Sequence, residues 1–255
     1  LVQGLCPWVP ASGGVPEGNA AAWRKYAGNR VELGGKGGRD LVLGREAERR
    51  QMVDSVVRRS ENSRIRTCEA GVGEAALAEA LAMRIVEGTF PQMLESTEIL
   101  TLDLGLLQAG ASVKGEFENR LQQLLKDVAS APTPIILFID EAHTLIGAGG
   151  SAGQSDAANL LKPALARGEL RIIAATTWGE YKKYFEKDAA LARRFQLVKV
   201  AEPDTEKATT MLRAMAPAMS LHHGIPILES AIHAAISLSS RYIAERQLPD
   251  KFVSL

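Results

Sequence analysis

Ile135-Ile136-Leu137-Phe138-Ile139-Asp140-Glu141 is five apolar residues in a row, closed by two adjacent carboxylates. An unbroken apolar run of that length reads as a parallel strand buried on both faces. Ligands gather at the carboxyl ends of such strands, and here that end carries the acidic pair. This is the form of a Walker B strand in nucleotide-hydrolysing α/β folds. Asp140 would hold Mg2+ and Glu141 would polarise the attacking water. The plainer alternative is a strand end with two solvated carboxylates. The continuation Ala142-His143 weighs against it.

Working outward, Arg171-Ile172-Ile173-Ala174-Ala175-Thr176-Thr177 reads as a second buried strand, ending in two hydroxyls. Between the two lie a Gly-rich loop at 147–153 and a helical pattern at 157–167 that stops near Gly168. Upstream, the patterns predict a helix over 46–59, a strand over 64–67 and a helix over 75–87. A strand over 100–104 and a helix from about 116 to 127 follow. Strands alternating with helices imply an α/β fold, a parallel sheet covered on both faces. Beyond Pro203 only helical patterns remain, at 204–215 and 229–244. The expected division is a poorly structured lead-in over 1–38, a large α/β domain over 39–202 and a partial helical domain over 203–255. The lead-in is rich in Gly, Pro and Ala, with Trp8 and Trp23 in no clear period.

The strand over 64–67 runs into Cys68-Glu69-Ala70-Gly71-Val72-Gly73-Glu74-Ala75. A phosphate loop needs glycines, so that backbone N–H groups approach the phosphates. It needs a Lys for the β- and γ-phosphates and a hydroxyl for Mg2+. In that register Cys68 replaces the first Gly, Gly73 matches, Glu74 stands at the Lys position and Ala75 at the hydroxyl position. Exchanging Lys for Glu changes the charge by two units beside a polyanion. One charge pair at ~4 Å is worth ~4 kcal/mol at an effective dielectric near 20. Mg-ATP binding is therefore expected to be badly weakened. Arg66, inside a strand expected to be central, adds a charge where one is seldom buried.

Bulk properties exclude several classes. Acidic and basic residues balance at 30 each, so no net field draws nucleic acid or an anionic membrane surface. No apolar run reaches the ~18 residues needed to span a bilayer. Cys6 and Cys68 are too few and too far apart for a metal cluster or a disulfide framework. A reducing, cytoplasmic setting is expected. The start carries no initiating Met or basic leader, and the chain stops mid-pattern at Phe252-Val253-Ser254-Leu255, which reads as a fragment.

Residues 102–121, 134–171 and 174–203 resemble the first ATPase module of the Hsp100/Clp AAA+ unfoldases. They are most similar to its ClpV group, the type VI secretion ATPases. The resemblance rests on Leu102-Asp103-Leu104-Gly105-Leu106-Leu107-Gln108-Ala109-Gly110-Ala111-Ser112-Val113-Lys114-Gly115-Glu116-Phe117-Glu118, on Ile146-Gly147-Ala148-Gly149-Gly150, and on Asp156-Ala157-Ala158-Asn159-Leu160-Leu161-Lys162-Pro163. It implies a AAA+ P-loop NTPase domain followed by a partial helical lid, with ATP and Mg2+ as cofactors. By this resemblance Val42 and Leu43 line the adenine pocket, residues 69–75 the phosphates, and Asp140 and Glu141 are the Walker B pair. Thr177 becomes sensor 1, and Arg193 and Arg194 the arginine fingers that act on a neighbour's nucleotide. Ser112, Val113 and Lys114 form the tip of a substrate-gripping pore loop, with 147–153 near a second one. Leu248-Pro249-Asp250-Lys251 belongs to the lid. Fingers acting in trans imply a ring, by family a hexamer, and the ClpV group implies the type VI secretion sheath as protein substrate.

The departures at Cys68, Glu74 and Ala75 open two further readings. One is a catalytically dead module that serves as an interaction or ring-assembly subunit, in a homo-oligomer or a mixed ring. The other is a decayed fragment without a role, against which the retained Asp140, Glu141, Arg193 and Arg194 weigh. Little or no intrinsic ATP turnover is expected of this copy.

Overall fold

The computed structural model describes residues 26–29, 48, 50, 51, 53, 54, 63–68, 81, 85, 97–109, 115–146 and 157–253. Val42, Leu43, residues 69–75, Ser112, Val113, Lys114 and the Gly-rich stretch at 147–153 lie outside them.

Among the described residues six strands form one sheet: β1 (Ala27–Asn29), β2 (Ser63–Cys68), β3 (Glu98–Leu102), β4 (Ile135–Ile139), β5 (Arg171–Thr177) and β6 (Phe195–Lys199). Their spatial order is β1-β3-β4-β5-β2-β6. Every pairing from β3 to β6 is parallel, and only β1 runs antiparallel, against β3. From β2 the chain goes out to β3, returns through β4 and β5, and passes over β2 to reach β6. Connections from the neighbouring strands β2 and β5 thus leave in opposite directions, the topology that places ligands at the carboxyl ends of the strands in open α/β sheets.

The apolar run 135–139 explains why β4 sits inside: all five of its residues are buried. In register, Leu137 lies beside Leu100 on one side and Ile172 on the other. On that face pack helices α1 (Leu104–Gln108), α2 (Glu116–Ala129) and α3 (Ala157–Arg167). Leu121, Leu124, Leu125 and Val128 recur at helical spacing along α2 and bury into the same cluster as Ile65, Leu137, Ile139, Ile172 and Ala174. Each such Leu or Ile contributes about 1.5–3 kcal/mol by leaving water.

Several boundaries depart from the sequence reading. Ala27–Asn29, within the expected lead-in, adds an edge strand to β3, with Tyr26 packed against the core. β3 ends at Leu102, not 104, because Asp103 caps α1: its Oδ1 accepts from Leu106 N at 3.0 Å. β6 was not anticipated. Only Phe195 and Val198 of its five residues are buried, so no two-residue alternation betrays it. Arg66 is fully buried, together with Arg64 on the same sheet face.

A short helix, α4 (Ala189–Ala192), precedes β6. Three helices follow the sheet: α5 (Thr205–His223), α6 (Glu229–Tyr242) and α7 (Asp250–Val253). They share a second core of Ala208, Met211, Leu212, Ala216, Ile232, Ile236, Leu248 and Phe252. Helix α5 runs past the predicted end at 215 and contains Pro217, because Ala216 and Met219 still pack into this core. It stops at Gly224, whose φ of 67° is the left-handed cap that glycine supplies without strain. Among the described residues no helix is long and apolar enough to cross a membrane.

Candidate functional site

The register fixes which strand ends meet. Ile139 lies beside Ala174 and Cys68 beside Thr177, so β2, β4 and β5 present their carboxyl ends on one edge. The first residue of the altered phosphate loop therefore starts next to Thr177, one strand away from Asp140.

Asp140 and Glu141 leave the buried strand directly into solvent, and both are exposed. The turn they form is tight. Glu141 has φ 47°, left-handed for a non-glycine residue, and its N–H donates to Asp140 Oδ1 at 3.1 Å. Its carbonyl accepts twice from Thr144, from the N–H at 2.9 Å and the hydroxyl at 2.8 Å. A left-handed non-glycine costs about 1–3 kcal/mol and persists where surrounding bonds over-determine it, as these do. Among the described residues no cluster of three or more His, Cys, Asp or Glu could hold a metal alone. Mg2+ takes one or two carboxylates together with phosphate oxygens and water. Asp140, exposed at the strand end, is a hard oxygen donor of that kind; such an ion would neutralise charge on a transferring phosphate.

At the end of β5, Thr176 is buried and Thr177 caps the helical turn 178–180. The Thr177 hydroxyl donates to Glu180 Oε2 at 2.8 Å and accepts from Glu180 N–H at 3.3 Å. Thr177 N–H and the Thr176 hydroxyl reach the same Oε2, each at 3.2 Å. His143, on the turn after Glu141, brings Nδ1 to 3.0 Å from that oxygen and stacks on Tyr184. Burial works to raise the Glu180 carboxyl. The Thr177 bonds, His143 and the Thr176 hydroxyl outweigh it and hold the group below the usual carboxylate range. Glu180 was not singled out from the sequence, and His143 entered there only within the Ala142-His143 continuation. The spacing Thr177-x-x-Glu180 is a capping box, and that signal was there to find.

Arg193 and Arg194 follow α4 and are both exposed. Arg194 Nη1 donates to Ala166 O of α3 at 3.4 Å. The segment is held from behind. Asp188 caps α4 by accepting from Ala190 N and Leu191 N, and its Oδ2 lies 2.6 Å from Lys162 Nζ of α3. The Lys162 ammonium is the largest influence on Asp188; with the Leu191 and Ala190 N–H groups it lowers the carboxyl below its ordinary value against burial. A depressed carboxylate contributes stability above its unfolded pKa of about 3.9, lost as pH falls through the folded value. Asp188→Ala is expected to cost about 1 kcal/mol at pH 7, chiefly as a lost cap. In urea titrations the gap to the parent chain should narrow below about pH 4; a gap unchanged down to acid pH would count against the ion pair.

The structure thus sets the strand ends bearing Asp140, Glu141, Thr176 and Thr177 on the same edge of the sheet as Cys68, and Arg193 and Arg194 on a separate, exposed turn. Residues 67–202 match the family model described as ATPase family associated with various cellular activities (AAA), and residues 204–255 match the AAA lid domain. Among curated relatives, the chain is 57% identical to AAA+ ATPase ClpV1 of Pseudomonas aeruginosa, over 93% of this chain and 26% of that protein. It is 53% identical to chaperone protein ClpB of Yersinia enterocolitica, over 96% of this chain and 28% of that protein. The chain spans about a quarter of the length of these relatives. Among solved structures, a closed state of Hsp104 with ATPγS and FITC casein superposes with TM-score 0.84 at 42% identity. It covers 91% of this chain and 40% of that one. The S. cerevisiae Hsp104-ADP complex gives TM-score 0.81, also at 42% identity and with the same coverage.

Proposed function

Because the chain belongs to the AAA family of ATPases, in its Hsp100/Clp branch, we propose that it is an ATP-dependent protein-remodelling module of ClpV kind. In this reading it works in a hexameric ring that threads and disassembles type VI secretion sheath proteins in the cytoplasm. The carrying observation is the meeting of Asp140-Glu141 with Thr176-Thr177 at the carboxyl ends of β4 and β5, beside Cys68. The similarity to ClpV1 supports the choice within the branch.

The roles divide as follows. Val42 and Leu43 take the adenine, residues 69–75 the phosphates and Asp140 the Mg2+. Glu141 polarises water and Thr177 faces the γ-phosphate. Arg193 and Arg194 reach a neighbour's nucleotide, while Ser112, Val113 and Lys114 grip the substrate chain. The exposed position of Arg193 and Arg194 supports their use in trans. The boundaries at 38 and 202, with the lid after them, belong to the same proposal.

Glu74 and Ala75 favour a second reading for this copy: a catalytically silent subunit that assembles into rings without hydrolysing ATP. The test is steady-state ATP turnover by the purified chain against Glu141→Gln. The expected result is no turnover above the variant's background. Turnover that Glu141→Gln abolishes would overturn the silent reading and leave the motor reading standing.

A further inference from the structure

Resting on the reading of Thr177 as the group that faces the γ-phosphate, the geometry points to Glu180 as a positioning residue that withholds the Thr177 hydroxyl from nucleotide. A threonine hydroxyl has one proton to give. In this structure it is given to Glu180 Oε2, at 2.8 Å, the shortest of the bonds in the cluster. The same carboxylate oxygen also takes the Thr177 N–H, the Thr176 hydroxyl and the His143 ring. Its side chain and that of His143 are only 33% and 16% exposed, so water competes weakly for these partners.

The capping box alone would not require this arrangement. Capping needs the Thr177 oxygen as an acceptor for Glu180 N–H, and that bond is present. Donation from the hydroxyl back to the Glu180 carboxylate is an additional, charge-assisted bond, stronger than one between neutral groups. A phosphate oxygen that is to receive the Thr177 proton must displace it. Glu180 thereby sets a threshold: only an anion placed close to the end of β5 competes, which distinguishes a triphosphate from a diphosphate. His143, two residues beyond Glu141, ties the same carboxylate to the turn that carries the Asp140-Glu141 pair. The two strand ends therefore share one junction, and the junction is Glu180.

The test is calorimetry on the full chain carrying Glu74→Lys and Ala75→Thr, with Mg-ATPγS and Mg-ADP as probes. Glu180→Gln keeps an acceptor for the Thr177 N–H but removes the charge. The ratio of ATPγS to ADP affinity is expected to rise about tenfold, with ADP affinity unchanged. In a Thr177→Val background, where no hydroxyl remains to be released, Glu180→Gln should leave the ratio alone. A merely structural role for Glu180 would move both affinities together and would not depend on Thr177. An unchanged ratio, or an equal rise in the Thr177→Val background, overturns the inference while leaving the proposed function intact. Should Glu180→Gln lose its fold by circular dichroism, Glu180→Ala, which removes the carboxylate altogether, carries the same two expectations. Binding of neither nucleotide by any of these proteins overturns the nucleotide reading and the inference with it.

Discussion

Calorimetry will find Mg-ATP held about a thousandfold more tightly by the Glu74→Lys, Ala75→Thr variant than by the parent chain. The strand ends that would flank the nucleotide are in place, since Cys68, Thr177 and Asp140 share one edge of the sheet. What the parent chain lacks is chemical. In the proposed reading Glu74 would put a negative charge where the β- and γ-phosphates need a positive one, and Ala75 would lack the hydroxyl that helps to hold Mg2+. Reversing a two-unit charge difference at about 4 Å is worth several kcal/mol even when partly screened. Binding by the variant alone would place the defect in these two side chains and leave the silent-subunit reading for the parent. Equal binding by both would mean that the backbone of 71–73 and Asp140 suffice, and the motor reading would hold for the chain as it is. Binding by neither would overturn the nucleotide reading of this site.

That argument starts from β4, and β4 was legible because burial on both faces leaves nothing but apolar residues in a row. The family match and the fold of sheet plus helical lid follow the sequence reading for the same reason: long apolar-periodic segments survive single departures. β6 was illegible. Phe195 and Val198 point to opposite faces and Gln196, Leu197 and Lys199 are exposed, so neither an apolar run nor an alternation marks it. Arg66 misled in the opposite way. A charge in a central strand argues against that strand when one position is weighed alone. The register of β2 with both β5 and β6 shows that neighbouring pairings held the strand in place. The site divided similarly. Asp140, Glu141 and Thr177 are marked by where strands end, which sequence shows. Glu180 and His143 matter through a contact between two turns 37 residues apart, which only the fold creates.

Phe185→Ala is expected to lower stability by about 3–5 kcal/mol, a large share of the roughly 5–15 kcal/mol a domain has. Phe185 is almost wholly buried, with its ring stacked on Tyr181 and edge-on to Phe195 at the start of β6. Tyr181 in turn stacks on Trp178, which follows Thr177 directly. The ring therefore ties the turn bearing Glu180 and the approach to Arg193 to the same core as Leu137 and Ile172. Removing it leaves a cavity that its ring neighbours Tyr181 and Phe195 can close only in part. Urea unfolding should show the midpoint fall with the slope unchanged, and Phe185→Leu should lose less than half as much because it refills most of the volume. A loss under about 1 kcal/mol for Phe185→Ala would mean that the turn collapses onto the gap. The positions of Glu180 and of the arginine pair would then be set elsewhere, and Phe185→Ala should leave the Glu180-dependent ratio of ATPγS to ADP affinity untouched.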